Sequence, residues 1–159
     1  MKTMMAQAQL EKSATEAVGR ALGKLLADMQ IVYGHLHALH WNVEGHQFFT
    51  LHRELQSMYE GLAESIDDTA ERILMLGNRP ATTYKEYLET TSLEELPSRK
   101  YTAEETAQYV LKDLAHLIGE LRDLVETAGS NGDEGTADFA VGMMREFEKQ
   151  NWFWSAFSN

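Results

Sequence analysis

Three observations predict an all-α protein, a bundle of four long helices. The chain of 159 residues contains only two prolines. Strand-like alternation is scarce. Apolar residues recur at steps of three and four through four separate segments, the spacing that lines them along one face of a helix. A chain of this length forms one domain, residues 1–159, with a short N-terminal tail over 1–12, and can bury a sizeable core.

The first helix carries Val18, Leu22, Leu25, Met29, Val32, Leu36 and Leu39. It is expected to start near Ser13 or Thr15, either of which can cap it. It should end near Trp41–Val43, before Gly45. The second carries Leu51, Leu55, Met58, Leu62, Ile66, Thr69, Ile73 and Leu76 and stops at Gly77-Asn78-Arg79-Pro80. The connection from Gly77 to Tyr101 is long, and TTYKEYLETT within it predicts a two-turn helix. The third helix opens at Thr102, with Glu105 three residues on as a capping box. Its stripe is Val110, Leu114, Leu117, Leu121, Leu124 and Ala128, and it ends at GSNG. The fourth runs from about Thr136 through Phe139, Met143, Phe147, Gln150 and Trp154 to Phe157. Two short outer connections and one long crossover give a ferritin-like topology, with the short extra helix in the connection between the second and third helices.

The formal net charge of −11 attracts cations and repels nucleic acid and anionic membranes. The absence of cysteine excludes disulfides and thiolate metal sites and suits a reducing cytosol. No apolar run approaches the roughly 18 residues of a membrane span, and MKTMMAQAQLEKS lacks the apolar block of a signal peptide. These features predict a cytoplasmic protein with no membrane partner.

Five of the six histidines fall in eighteen residues, HLHALHWNVEGHQFFTLH, from His35 to His52. His40 closes the first helix and His52 opens the second, so the turn at Gly45 can bring them together. The second helix presents Glu60, Glu64, Asp67 and Glu71 at steps of four, three and four, beside Asp68. Such a row can be a solvated acidic face, but like charges at i,i+4 repel, and only Arg53 and Arg72 on this helix offset them. Histidine and carboxylate together suit iron or zinc, whereas oxygen ligands alone would suit magnesium or calcium. Asp67 lies fifteen residues past His52, about 22 Å along a helix, and a metal–ligand bond is about 2 Å. One chain cannot close that gap. Either the two groups serve separate purposes, or a two-fold axis sets His40 and His52 of one subunit against Asp67 and Glu71 of the other, giving two equivalent sites. The chain has no Glu-x-x-His pair of the kind that builds intrasubunit di-iron sites. Asp113-Leu-Ala-His116 is the nearest approach, and His116 reads as a surface or capping residue.

Two motifs, His40-Trp41-Asn42-Val43-Glu44-Gly45 followed by Leu51-His52, and Ile66-Asp67-Asp68-Thr69-Ala70-Glu71-Arg72 continuing to Gly77–Pro80, closely resemble those of Dps, the DNA-binding protein from starved cells, a mini-ferritin. Thr136-Ala137-Asp138 and an aromatic-rich end with Trp152 add to the likeness, which spans about residues 15 to 157. The resemblance implies a hollow homododecamer of tetrahedral symmetry and inter-subunit ferroxidase centres. Their catalytic metal ligands would be His40 and His52 of one chain with Asp67 and Glu71 of another. It implies an oxidoreductase that turns Fe(II) into Fe(III), preferentially with hydrogen peroxide and also with oxygen. Ferric mineral would be stored inside, protecting against oxidative damage. Two irons per site are implied, the second weak because Gln56 stands where the family usually has an acid, and zinc is a substitute occupant. Thr69 replaces a usual aliphatic. His37 could support His40 from one turn away, while His35 points elsewhere and His46 sits in the turn. Trp41 and Trp152 fit core packing or, by the resemblance, a place near the site where they absorb oxidising equivalents. Asp138, with Asp133 and Glu134, would line acidic three-fold pores, although the carboxylates also suit the start of a helix.

A nucleoid-coating protein with secondary iron chemistry is the alternative, and a zinc-occupied shell with impaired oxidation is a third. Family members that coat DNA usually use lysine-rich tails. Here the N-terminal segment offers only Lys2 and Lys12, nothing basic follows Lys149, and twelve subunits would carry roughly −130. Weak or absent DNA binding follows.

Overall fold

The computed structural model describes residues 8–159, so part of the 1–12 tail lies outside the described residues. Five helices follow one another: α1 (Lys12–Asn42), α2 (Phe48–Met75), the short α3 (Tyr84–Thr90), α4 (Ala103–Ser130) and α5 (Glu134–Ser158). The four long ones form the bundle. α1 packs against α2, α3 and α4, and α4 packs against α5. The expected stripes of α1 and α4 are buried throughout, as are Leu51, Leu55, Leu62, Thr69 and Ile73 of α2 and Leu76 just beyond its end. Leu22, Leu55 and Leu121 are 0% exposed, and truncating any of them to alanine would cost about 3 kcal/mol. Thr69 keeps its hydroxyl satisfied inside the core by donating to the Ser65 carbonyl at 2.7 Å.

The helix starts depart from expectation in two places. α1 begins at Lys12 after Glu11, with no side-chain cap, and the Thr15 hydroxyl instead donates back to the Lys12 carbonyl at 2.9 Å. α5 begins two residues early because Asp133 caps it, accepting from the Thr136 amide at 2.9 Å. α3 and α4 both carry full capping boxes, Thr83 with Glu86 and Thr102 with Glu105.

Several bonds fix where the ends of helices sit. Gly45 adopts φ 117°, a conformation glycine reaches without Cβ strain, and its carbonyl accepts from the Phe48 amide at 3.1 Å. This reverses the chain between α1 and α2. The end of the crossover is pinned beside the same turn: the Tyr101 amide donates to Asn42 at 3.0 Å, and the Glu44 amide to Tyr101 at 2.9 Å. At the opposite end of the α1–α2 pair, the Asn78 side chain donates to the Thr15 carbonyl at 2.8 Å. A Cβ on Gly19 would come within 2.5 Å of that side chain, so the contact needs glycine. The register between α1 and α2 is therefore set at both ends.

Candidate metal centre

The last turn of α1 and the first turn of α2 bring His40 and His52 face to face, with ring centroids 3.7 Å apart and planes 15° from parallel. Their backbones lock the pair reciprocally. Nδ1 of His40 donates to the His52 carbonyl at 2.7 Å, and Nδ1 of His52 donates to the His40 carbonyl at 2.9 Å. A carbonyl only accepts, so both Nδ1 atoms carry protons, and in each neutral ring Nε2 holds the lone pair a metal requires. Burial, the chief cause, pushes the His40 pKa below the usual imidazole value, and the neighbouring His52 and His37 rings add to it against the opposing bond to the carbonyl. His40 is thus uncharged at neutral pH, with its tautomer and orientation fixed before any ion arrives.

Aromatic rings surround this pair. His37 lies between Tyr59, 4.2 Å away, and Trp41, 4.9 Å away, with Tyr33 edge-on at 4.5 Å. Tyr59 also meets His40 edge-on at 5.3 Å. His37 therefore belongs to the wall of the site through ring contacts. Trp41 and Trp152 are 68% and 65% exposed, which rules out the core-packing reading for both. His46 is exposed in the turn.

The acidic row behaves differently. Glu60, Glu64, Asp67, Asp68 and Glu71 are all exposed along α2, which is unbroken from Phe48 to Met75. His52 and Asp67 on this one straight element stay about 22 Å apart, so a single chain does not bring the four predicted ligands together. Among the described residues none of the five forms an ion pair. The arginines expected to offset them are engaged elsewhere. Arg53 donates to the Phe49 carbonyl at 3.1 Å, and Arg72 donates to Thr136 at 2.8 Å and to Asp133 at 2.9 Å. Gln56 donates to Glu60 at 2.9 Å, so its amide eases one carboxylate and brings no charge of its own.

Asp133 is 2% exposed and taken up by Arg72 and the α5 cap, so it cannot line a pore. Asp138 and Glu134 remain exposed on the first turns of α5.

A second cluster was not legible in the sequence. Asp28, His116 and Glu120 converge within 4.8 Å as a possible set of ligand atoms. The Lys24 ammonium already sits among them, 3.0 Å from Asp28 and 2.7 Å from Glu120. Asp28 is 0% exposed, and its other oxygen accepts from the Thr91 hydroxyl at 2.6 Å and the Ser92 amide at 3.1 Å. Burial would push its carboxyl up, but the bonds from Thr91, His116, Lys24 and Ser92 outweigh this and hold it below the usual carboxylate value. The cationic position is filled by a side chain, so the cluster is a closed ion network that ties the crossover to α1 and α4. His116, bonded to Asp28 at 2.8 Å, is neither a helix cap nor a free surface group. Steps of four in Lys24-x-x-x-Asp28 and His116-x-x-x-Glu120 were the available signal, but only packing of α1 on α4 joins the two pairs.

The family model for a ferritin-like domain matches residues 19–159. A DNA protection during starvation protein of Bacillus anthracis is 41% identical over 138 residues, covering 87% of this chain and 94% of its own. The crystal structure of a Dps protein from Vibrio cholerae, described as ferritin-like and diiron-carboxylate, superposes with TM-score 0.91 at 33% identity, covering 94% of each chain. A Listeria innocua Dps soaked with zinc matches with TM-score 0.85 at 31% identity, covering 88% of this chain and 94% of that one. Among the described residues no helix is long and apolar enough to cross a membrane.

Proposed function

Because the chain belongs to the Dps family of ferritin-like proteins, we propose that it oxidises ferrous iron at sites shared between two subunits and stores the ferric product within a dodecameric shell. One observation carries this reading. His40 and His52 are locked as a pair through their Nδ1 atoms, leaving both Nε2 atoms as donors, while the carboxylates that would complete their site stand exposed, without an ion pair among the described residues, along the helix that starts beside them, out of reach. Antiparallel packing of two α2 helices about a two-fold axis satisfies both halves at once.

In each site the two imidazoles supply Nε2, and Asp67 and Glu71 of the neighbouring subunit supply oxygen. Anionic oxygen donors favour the harder ferric ion over ferrous, which drives electron loss. Two ferrous ions give one electron each to hydrogen peroxide, whose O–O bond breaks; with two protons it leaves as two waters. Glu71 anchors the principal iron. Gln56 leaves the second position with a neutral neighbour, so that iron binds weakly and is delivered only as turnover proceeds. Zinc fits the same donors and would compete. Asp138 and Glu134 supply the acidic entry path for ferrous ions. The charge of −11 per chain makes phosphate contacts unfavourable, so DNA binding is weak or absent at physiological salt.

The test is anaerobic ferrous loading followed by peroxide or oxygen, with ferric formation monitored optically. His52→Ala and Asp67→Ala should each abolish fast oxidation. Subunits of the two variants, unfolded together and reassembled, should recover about a quarter of the wild-type sites, because a mixed two-fold interface restores one of its two sites. Absence of recovery in correctly assembled shells would sink the shared site.

A further inference from the structure

The crossover between α3 and α4 is gripped by two crossed histidine–aspartate pairs. His116 of α4 reaches Asp28 of α1, and His35 of α1 reaches Asp113 of α4. The second pair has a geometry that fixes its proton count. Nδ1 of His35 lies 2.9 Å from the Asp113 carboxylate, and Nε2 lies 2.8 Å from the Glu94 backbone carbonyl. Both neighbours are acceptors when the carboxylate is ionised, and a neutral imidazole has one N–H. Without a further proton, a nitrogen lone pair would face an oxygen lone pair at hydrogen-bond distance. The two side chains are each only 6% exposed, so water cannot stand in for either bond.

We propose that the His35–Asp113 pair retains a proton at neutral pH, and that this proton latches crossover residues 91–97 onto α1 and α4, so that alkaline pH loosens this side of the bundle. The groups around the pair favour the charge. Glu94 and Glu95 approach from the crossover and Asp113 from α4. Lys112 on α4 opposes them, Tyr109 of α4 and Tyr84 of α3 line the neighbouring space, and His116 is committed to Asp28. Burial pulls the His35 pKa down, but the bond and charge of Asp113, the Glu94 carbonyl and the charge of Glu95 outweigh it, leaving it raised. A raised folded value means that the latch is fully present below the unfolded imidazole pKa of about 6.5 and is lost as pH rises through the folded one. Asp28, held low, fails in the opposite direction, as pH falls. Thr91 and Ser92 are thus secured by an acid-sensitive clamp and Glu94 by an alkali-sensitive one.

Hydrogen exchange of the amides of residues 91–96, corrected for intrinsic rates, tests this on the assembled protein from about pH 6 to about pH 10. Wild-type protection should hold at the lower end and then fall by up to about ten-fold per pH unit, the slope of one linked proton. Asp113→Asn should flatten the profile, because the amide can donate to Nδ1 of a neutral His35 whose Nε2–H still reaches Glu94. A flat wild-type profile, or an Asp113→Asn profile that tracks wild type, would overturn the latch. Should that variant fail to assemble, a neutron structure of the wild type at neutral pH decides. Two exchangeable protons on the His35 ring, or one there and one on Asp113, support the proposal, and a single one in the pair refutes it.

Discussion

Between α1, α4 and the crossover, every carboxylate and imidazole of the Lys24–Asp28–His116–Glu120 and His35–Asp113 groups finds its partner within the chain. On the α1–α2 side the same residue types are left incomplete. His40 and His52 satisfy only their Nδ1 atoms, and Asp67 and Glu71 have no counter-charge among the described residues. A cluster whose cation is a lysine is finished when the chain folds. A row of carboxylates with no such lysine among the described residues keeps its repulsion, which the proposed shared site would relieve with a metal and a second subunit. The contrast teaches that acidic composition alone does not separate a finished ion network from an open one; the position of the nearest ammonium or guanidinium does.

The comparison can be broken most severely at Glu71. Glu71→Ala should reduce ferrous oxidation on the order of 100-fold, while the urea unfolding free energy of the metal-free protein stays within about 0.5 kcal/mol of wild type. A variant that unfolds early yet still oxidises iron would reverse the two roles. Asp28→Ala should show the opposite pattern. Losing one member of a buried, hydrogen-bonded ion network should cost about 3 kcal/mol in urea titration, with the oxidation rate per assembled shell unchanged. Its depressed folded pKa also sets the sign with pH. The stability that Asp28 contributes is present above the unfolded carboxylate value of about 3.9 and disappears as pH falls through the lower folded one. The gap between wild type and Asp28→Ala should therefore close in strong acid.

Arg72→Ala removes the bonds to Asp133 and Thr136 but leaves the Thr136 amide capped by Asp133. A loss of about 1–2 kcal/mol is expected in the same titration. The smallest effect sharpens the comparison most. Glu64→Gln should stabilise the metal-free protein by a few tenths of a kcal/mol by relieving repulsion along α2, and the gain should shrink once ferrous ion or zinc is bound. Destabilisation in the metal-free state would show that the row is a favourable solvated face.

Much of the fold was legible because helical periodicity is local. The stripes from Val18 to Leu39 and from Val110 to Ala128 are buried as their spacing requires, and the capping box at Thr102 starts α4 where its residue types indicate. Boundaries were less secure where a cap lies ahead of the apolar stripe. α5 starts at Glu134, ahead of the expected Thr136, because Asp133 caps it, with Arg72 and the Thr136 hydroxyl holding its carboxylate at the helix end. The same bonds remove Asp133 from the acidic pore lining that the resemblance implied for it. Trp41 and Trp152 show the limit of composition: aromatic bulk suggests burial, yet both rings face outward.

The sequence by itself determined the helices, the crossover and the histidine pair, since each follows from residues within a few turns of one another. It also determined that one chain cannot bring His52 and Asp67 to a single ion, because the rise of a helix is fixed and the two share one helix. Only the tertiary structure decided how the remaining polar groups are spent. Whether His35 and His116 are free, paired or metal-facing depends on α4 lying against α1, 78 and 88 residues distant in the chain. A hydrogen bond forms or fails within a fraction of an ångström, and no local pattern carries that information across such a separation.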